Sequence, residues 1–178
     1  MYGKNHCGFT LYELLITLAI IAILTALATP GFGVLIQRNR VASAASDITA
    51  SITYARSEAI RRGRAVALCP AGGPAGAGAS LQNGWTIEAS ADDAFPECGK
   101  ADNTVLLQHE ALRQIAPPTG GSPFPAVKLS INRMGVSNGE WASITFQATG
   151  CTPGAEGMRR TLTITQLLEV DSASGSCT

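Results

Sequence analysis

Gly8-Phe9-Thr10-Leu11-Tyr12-Glu13 leads directly into an uncharged run, Leu14 to Ile36. The reading of this stretch decides the fold. The run has 23 residues. As a helix it would be roughly 34 Å long, enough to cross a bilayer core. A core helix of a soluble protein is the competing reading, but such helices rarely stay uncharged for so long. Glu13 stands at the edge of the run. A carboxylate there costs less than one at depth, and it usually has a partner. Removal of the short polar leader Met1 to Gly8 would put a new amino group on Phe9. That cation could pair with the Glu13 carboxylate of a neighbouring subunit and so set register in an assembly.

These residues resemble the prepilin peptidase site of type IV pilins and type II secretion pseudopilins. The family pattern is Gly, Phe, Thr, an aliphatic residue, a variable residue, then Glu. The resemblance implies cleavage between Gly8 and Phe9, N-methylation of Phe9, and pairing of Glu13 with a neighbour's N-terminus. Cys7 before the cleavage glycine departs from the pattern, and Lys4 is the leader's only Lys or Arg. Ala26-Leu27-Ala28 supports a rival, a secretory signal cut to release a soluble domain beginning at Thr29. Against that rival, Glu13 opens the run where a basic cluster is expected, and apolar character continues through Phe32, Val34, Leu35 and Ile36.

Pro30-Gly31 interrupts the run. Proline removes a helix hydrogen bond, so a kink is expected at Pro30, a position where pilins also resemble this chain. Beyond Arg38 and Arg40 the pattern becomes amphipathic. Val41, Ala45, Ile48, Ile52, Ala55 and Ala59 recur at steps of four and three and predict one buried stripe. The helix should end near Arg61-Arg62-Gly63, with glycine as its cap and the arginines at the negative dipole end. Arg56, Arg61, Arg62 and Arg64 are read as that dipole complement and a solvated face, ahead of a phosphate-binding patch.

The second half is rich in turns, and most of the 19 glycines lie after residue 62. Strands are expected at Ala65 to Leu68, Trp85 to Ala89, Thr104 to Leu107, Val127 to Ile131, Trp141 to Gln147 and Thr161 to Leu168. In Trp141 to Gln147, Ala142, Ile144 and Phe146 share one face, with Ser143, Thr145 and Gln147 on the other. Gly72 to Gly84 and Ile115 to Pro125 read as surface loops. Tyr54-Ala55-Arg56-Ser57-Glu58-Ala59-Ile60, Arg62-Gly63, Val66, Leu68-Cys69-Pro70, Gly84-Trp85 and Ile131-Asn132-Arg133-Met134-Gly135 narrow the resemblance. They look like the GspH/FimT family of minor pseudopilins and pilins. The implied fold is α+β and type IV pilin-like, a long N-terminal helix packed on small antiparallel sheets. The expected divisions are a leader at 1–8, a membrane and filament-core helix at 9–36, an amphipathic helix half at 37–63, and a β-rich periplasmic domain at 64–178. The implied partners are other pilin or pseudopilin subunits, the prepilin peptidase and an inner-membrane assembly platform.

After leader removal Cys69, Cys98, Cys151 and Cys177 remain, and four cysteines allow three pairings. None forms a C-x-x-C and only His109 accompanies them, so disulfides in an oxidising periplasm are the reading ahead of zinc. The favoured pairs are Cys69 with Cys98 and Cys151 with Cys177, each closing a loop of a few tens of residues. Cys98 would pin the loop Ala91 to Lys100, and Cys177 the C-terminal tail.

No enzyme is expected. A catalytic triad would have to use His109, beside Glu110, and no glycine pair fits a phosphate loop. Asp92-Asp93 is read as a solvated loop ahead of a calcium site, and no cofactor or metal is expected. With 13 basic and 13 acidic residues the formal net charge is zero, so no global field draws in nucleic acid. Some FimT-type pilins are associated with DNA uptake through a Gly-Arg-x-Arg arrangement after the last strand. Gly157-Met158-Arg159-Arg160 echoes it only in part and is expected to precede that strand. Leu168-Glu169-Val170-Asp171 would stand in the motif's place with negative charge, leaving Arg159 and Arg160 at most a weak DNA contact.

Overall fold

The structure, a computed structural model, describes residues 9–71, 80–92, 94–116, 129–137 and 142–177; within the helix, the side chains of 27–31 fall outside that description. One helix, α1, runs from Leu11 to Arg62. It belongs to two compact units, residues up to Ile36 and residues from Gln37 onward.

In the first unit every described residue from Phe9 to Ala26 is exposed. Pro30 lies within the helix, and the kink expected there falls outside the described residues, as do Gly8 and the leader. Among the described residues no helix is long and apolar enough to cross a membrane.

In the second unit, Val41, Ala45, Ile48, Ile52, Ala55 and Ala59 are all buried. The alanines let the helix approach the sheets closely, and the isoleucines fill the space between. At Gly63, φ is +61°. Its N–H donates to the Ile60 carbonyl and the Arg64 N–H to the Ala59 carbonyl, both at 3.3 Å. This is the paired-bond stop that a glycine after a helix allows.

Among the described residues eight strands follow: β1 Val66–Ala71, β2 Ser80–Ala89, β3 Thr104–His109, β4 Ile115–Ala116, β5 Leu129–Ile131, β6 Ala142–Ala148, β7 Glu156–Ile164 and β8 Val170–Ser176. They form two four-stranded sheets, ordered β3-β2-β1-β5 and β4-β6-β7-β8. All pairings are antiparallel. Pro70 sits in the central strand β1, opposite Trp85 of β2 and beyond the Val66 to Leu68 span that pairs with β5. One apolar core joins the helix stripe to Val66, Leu68, Trp85 and Ile87 of one sheet and Ile144, Phe146, Leu162 and Ile164 of the other.

The strand expectations need four corrections. The expected strand Thr161 to Leu168 begins earlier and ends at Ile164, so Arg159 and Arg160 lie within β7. β7 is not the last strand. Val170 to Ser176 forms β8, and Leu168-Glu169-Val170-Asp171 straddles the turn into it. Ile115-Ala116, expected as loop, pairs with β6 as β4. Elsewhere, Ser80 to Gly84 belong to β2, while 72–79, 117–128 and Trp141 lie outside the described residues. On β6, Ile144 and Phe146 are buried and Ser143 is exposed; Gln147 is buried too, between Ala116 and Arg159 on the flanking strands.

After β5 the chain makes a tight turn against α1. The Asn132 side-chain carbonyl accepts from the N–H groups of Met134 and Val136 at 2.9 and 3.1 Å. At Gly135 φ is +76°, and a Cβ there would lie 2.8 Å from Ile60 Cδ1. Gly135→Ala therefore combines a disfavoured backbone with a clash. The expected loss is about 1–3 kcal/mol, read from urea unfolding. Stability within experimental error of wild type would show that the turn yields freely.

Candidate functional site

The start of α1 is built on a local hydrogen-bond cycle. Thr10 is the residue before α1 and Glu13 lies in its first turn. The Thr10 N–H and hydroxyl both donate to Glu13 Oε2, at 3.0 and 2.8 Å, and the Glu13 N–H donates to Thr10 Oγ1 at 3.2 Å. This capping box satisfies backbone donors at the helix start and places a carboxylate at the positive dipole end. Oε1 takes part in none of these bonds. Phe9, immediately before, is 81% exposed. The cycle holds the carboxylate one turn from the residue that would become the new N-terminus. Thr10 is legible as the cap of Thr-x-x-Glu ahead of an apolar run, a helix-start pattern.

At the other end of α1, Glu58 is almost buried, with its side chain 9% exposed. Arg61 Nε donates to Oε1 at 2.9 Å, while Arg61 Nη2 and Arg62 Nε both reach Oε2 at 2.6 Å. Hydrogen bonds from Arg61, then from Arg62, hold the carboxyl at about 2, against 4.5 for the free group. Two members of the expected basic cluster are thus engaged on this helix. Arg64 Nη1 donates to the Ala91 carbonyl. Because the folded-state value is depressed, the stabilisation is complete above the ordinary carboxyl value and fades as pH falls towards about 2. Glu58→Gln should remove that fall. Unfolding midpoints across this acid range should drop less for the variant than for wild type, and equal drops would assign the acid loss to other carboxyls.

A second buried carboxylate organises the segment between β2 and β3. Glu88 is 5% exposed. It accepts from the Gly99 N–H at 3.0 Å, the Asn103 amide at 2.8 Å and the Thr86 hydroxyl at 2.8 Å. Beside it Cys98 is joined to Cys69 of β1, with Cα atoms 5.4 Å apart. Cys151 is joined to Cys177, with Cα atoms 6.0 Å apart, just past the end of β8. Among the described residues no group of three or more His, Cys, Asp or Glu side chains could hold a metal ion. Asp93 lies outside them. Asp92 accepts from the Ser90 hydroxyl, the main cause that holds its carboxyl below the usual range.

His109 lies against Trp85, their ring centroids 4.0 Å apart and nearly parallel. Its Nε2 is 3.7 Å from Asp47 on α1, and its Nδ1 lies 2.8 Å from the Glu110 carbonyl. No serine or cysteine stands in a triad with it in these contacts. Arg159 and Arg160 point from adjacent positions of β7, so they lie on opposite faces. Arg160 Nη1 donates to Ser172 Oγ of β8 at 3.0 Å. The two arginines therefore do not form one cationic patch.

Residues 3–29 match the prokaryotic N-terminal methylation motif. Residues 44–168 match the type II transport protein GspH. No curated protein sequence matches the chain. Among solved structures it is similar to the type IV minor pilin FimU of Pseudomonas aeruginosa. One crystal form shares 22% identity over 80% of this chain and 98% of that chain, with a TM-score of 0.52. A second shares 21% over 77% and 98%, with a TM-score of 0.50. That likeness extends the type IV pilin fold to this molecule, one long helix on antiparallel sheets. With the GspH match covering most of the helix-and-sheet unit and the methylation motif preceding it, the chain belongs to the GspH family, of the minor pseudopilin and pilin type.

Proposed function

We propose that the protein is a non-enzymatic minor subunit of a type II secretion pseudopilus or type IV pilus. It is cut between Gly8 and Phe9, methylated on Phe9, and held in the inner membrane by residues 9–36 with its β-rich domain in the periplasm. It then passes from the assembly platform into a filament, where other pilin-like subunits replace lipid around the helix. The observation that carries this reading is the pairing of an uncovered apolar helix with a carboxylate at its start. The described large apolar side chains from Phe9 to Leu24 are all exposed. An apolar surface of that size needs lipid or partner helices to cover it. Glu13, already turned by Thr10, has Oε1 left to accept from a neighbour's N-terminal ammonium. The exchange of one helix start against the next would set the axial register of subunits.

The test is the intact mass and N-terminal sequence of the mature protein recovered from membranes. A start at methylated Phe9 supports the reading. A start at Thr29, in a soluble fraction, overturns it. The DNA-uptake alternative gains no support from the site. Arg159 and Arg160 face apart, and Glu169 and Asp171 follow them in the β7–β8 hairpin.

A further inference from the structure

Beside the first turn of the domain's share of α1 lies a cleft of about 450 Å³, lined by Arg38, Glu156, Gly157, Ser174, Gly175 and Ser176. Its chemistry is mixed. Arg38 comes from the helix, and a Cβ at Gly157 would lie 3.3 Å from Arg38 Nε, so the glycine leaves the guanidinium room over β7. Ser174 and Ser176 are two apart on β8 and present their hydroxyls on one face. Glu156 is the register partner of Ser176. Among the described residues none of these four polar side chains makes a side-chain hydrogen bond or ion pair, and Arg38 and Glu156 are not paired with each other. The cleft thus holds a cation, two hydroxyl donors and a separate anion, all unspent.

We propose that this cleft seats a zwitterionic phosphoethanolamine headgroup of the surrounding lipid. The inference rests on the membrane-anchored reading above. Arg38 is two residues past the uncharged run Leu14 to Ile36. On a helix that is about 3 Å of rise, so with the run in hydrocarbon Arg38 stands in the headgroup layer. The phosphate oxygens accept from the Arg38 guanidinium, a planar donor suited to oxyanions, and from the two serine hydroxyls. The ammonium donates to Glu156. A glycerol headgroup offers the carboxylate no cation, and a choline offers it no N–H. The cleft therefore discriminates among headgroups that share the same phosphate.

The experiment uses the full chain, reconstituted in nanodiscs of equal phosphatidylethanolamine, phosphatidylglycerol and phosphatidylcholine. Lipids retained on release are counted by native mass spectrometry. Phosphatidylethanolamine should be retained over the other two by about tenfold, the effect expected of one charge-assisted hydrogen bond. Arg38→Ala should abolish retention. Glu156→Gln should keep a bound phospholipid but erase the preference over phosphatidylglycerol. Equal retention of the three lipids by wild type, or retention unchanged in Arg38→Ala, overturns the proposal. Displacement by millimolar inorganic phosphate alone would show a plain oxyanion site and overturn the zwitterionic assignment. Alkaline carbonate extraction of membranes separates the two readings. A chain that washes out fails the membrane-anchored reading and this inference with it. A chain that stays in the membrane without lipid preference fails only the inference.

Discussion

Trp85→Ala is expected to cost the folded protein roughly 3–5 kcal/mol, read from urea unfolding of the full chain in detergent. Trp85 is 1% exposed and connects three elements. Its ring stacks on His109 of β3, and its Nε1 donates to Ser51 Oγ of α1 at 2.9 Å. Truncation opens a large cavity between helix and sheet and leaves the buried Ser51 hydroxyl without this donor. Two further variants separate these contributions. Trp85→Phe keeps a ring against His109 and loses the hydrogen bond, at about 1–3 kcal/mol. Adding Ser51→Ala to Trp85→Phe should recover part of that loss, because an unpaired buried hydroxyl costs more than no hydroxyl. A Trp85→Ala variant within about 1 kcal/mol of wild type would mean that the core closes over the gap, contrary to the packing seen here.

Removing the Cys69–Cys98 bond by paired serine substitutions should cost about 3.6 kcal/mol, on the chain-entropy account for a separation of 29 residues. The effect should depend on Glu88. The disulfide and this carboxylate hold the same segment, because Gly99 and Asn103 donate to Glu88 next to Cys98. With the bond intact, the segment stays in place when one tether is weakened. Without it, Glu88→Gln should cost more than it does in the oxidised protein. A double-mutant cycle of the two changes should therefore show coupling. Strict additivity would mean that the two tethers act on separate structures. Reduction of the native protein would open Cys151–Cys177 as well, so the serine variant is the comparison that isolates this bond.

The parts of the fold that were legible in sequence are those where burial and periodicity agree. The stripe Val41, Ala45, Ile48, Ile52, Ala55 and Ala59 repeats at helical spacing, and each member is buried. Gly63 after two arginines marks the helix end because only a glycine enters the left-handed region cheaply. Ile144 and Phe146 alternate with polar residues because β6 has a core face. Other parts escaped because tertiary pairing overrides local preference. β8 reads Val-Asp-Ser-Ala-Ser-Gly-Ser, a composition of loops, and is a strand through its pairing with β7 and the anchor at Cys177. Arg159 and Arg160 masked the start of β7, since charged pairs seldom signal a half-buried strand. Gln147 occupies an outward position by alternation but is covered by its neighbours. At the start of α1, Glu13 was conspicuous as a lone charge, and Thr10 was legible only through its spacing from that charge, as the Thr-x-x-Glu of a helix start. Glu88 was silent. Besides the Thr86 hydroxyl two residues away, its donors lie 11 and 15 residues along the chain, beyond the reach of a local pattern.

The close seating of α1 on the domain has a mechanical side. The buried stripe from Val41 to Ala59 extends for about 27 Å along the helix axis. A pull along α1 from Gln37 would drag this whole stripe across the core at once. Its six buried contacts would then share the load in shear, and none would be peeled open ahead of the others. The turn at Gly135, seated against Ile60, and the Arg64 contact to Ala91 catch the far end of the same rod. Force entering such a subunit through its helix would spread over both sheets before any single strand yielded.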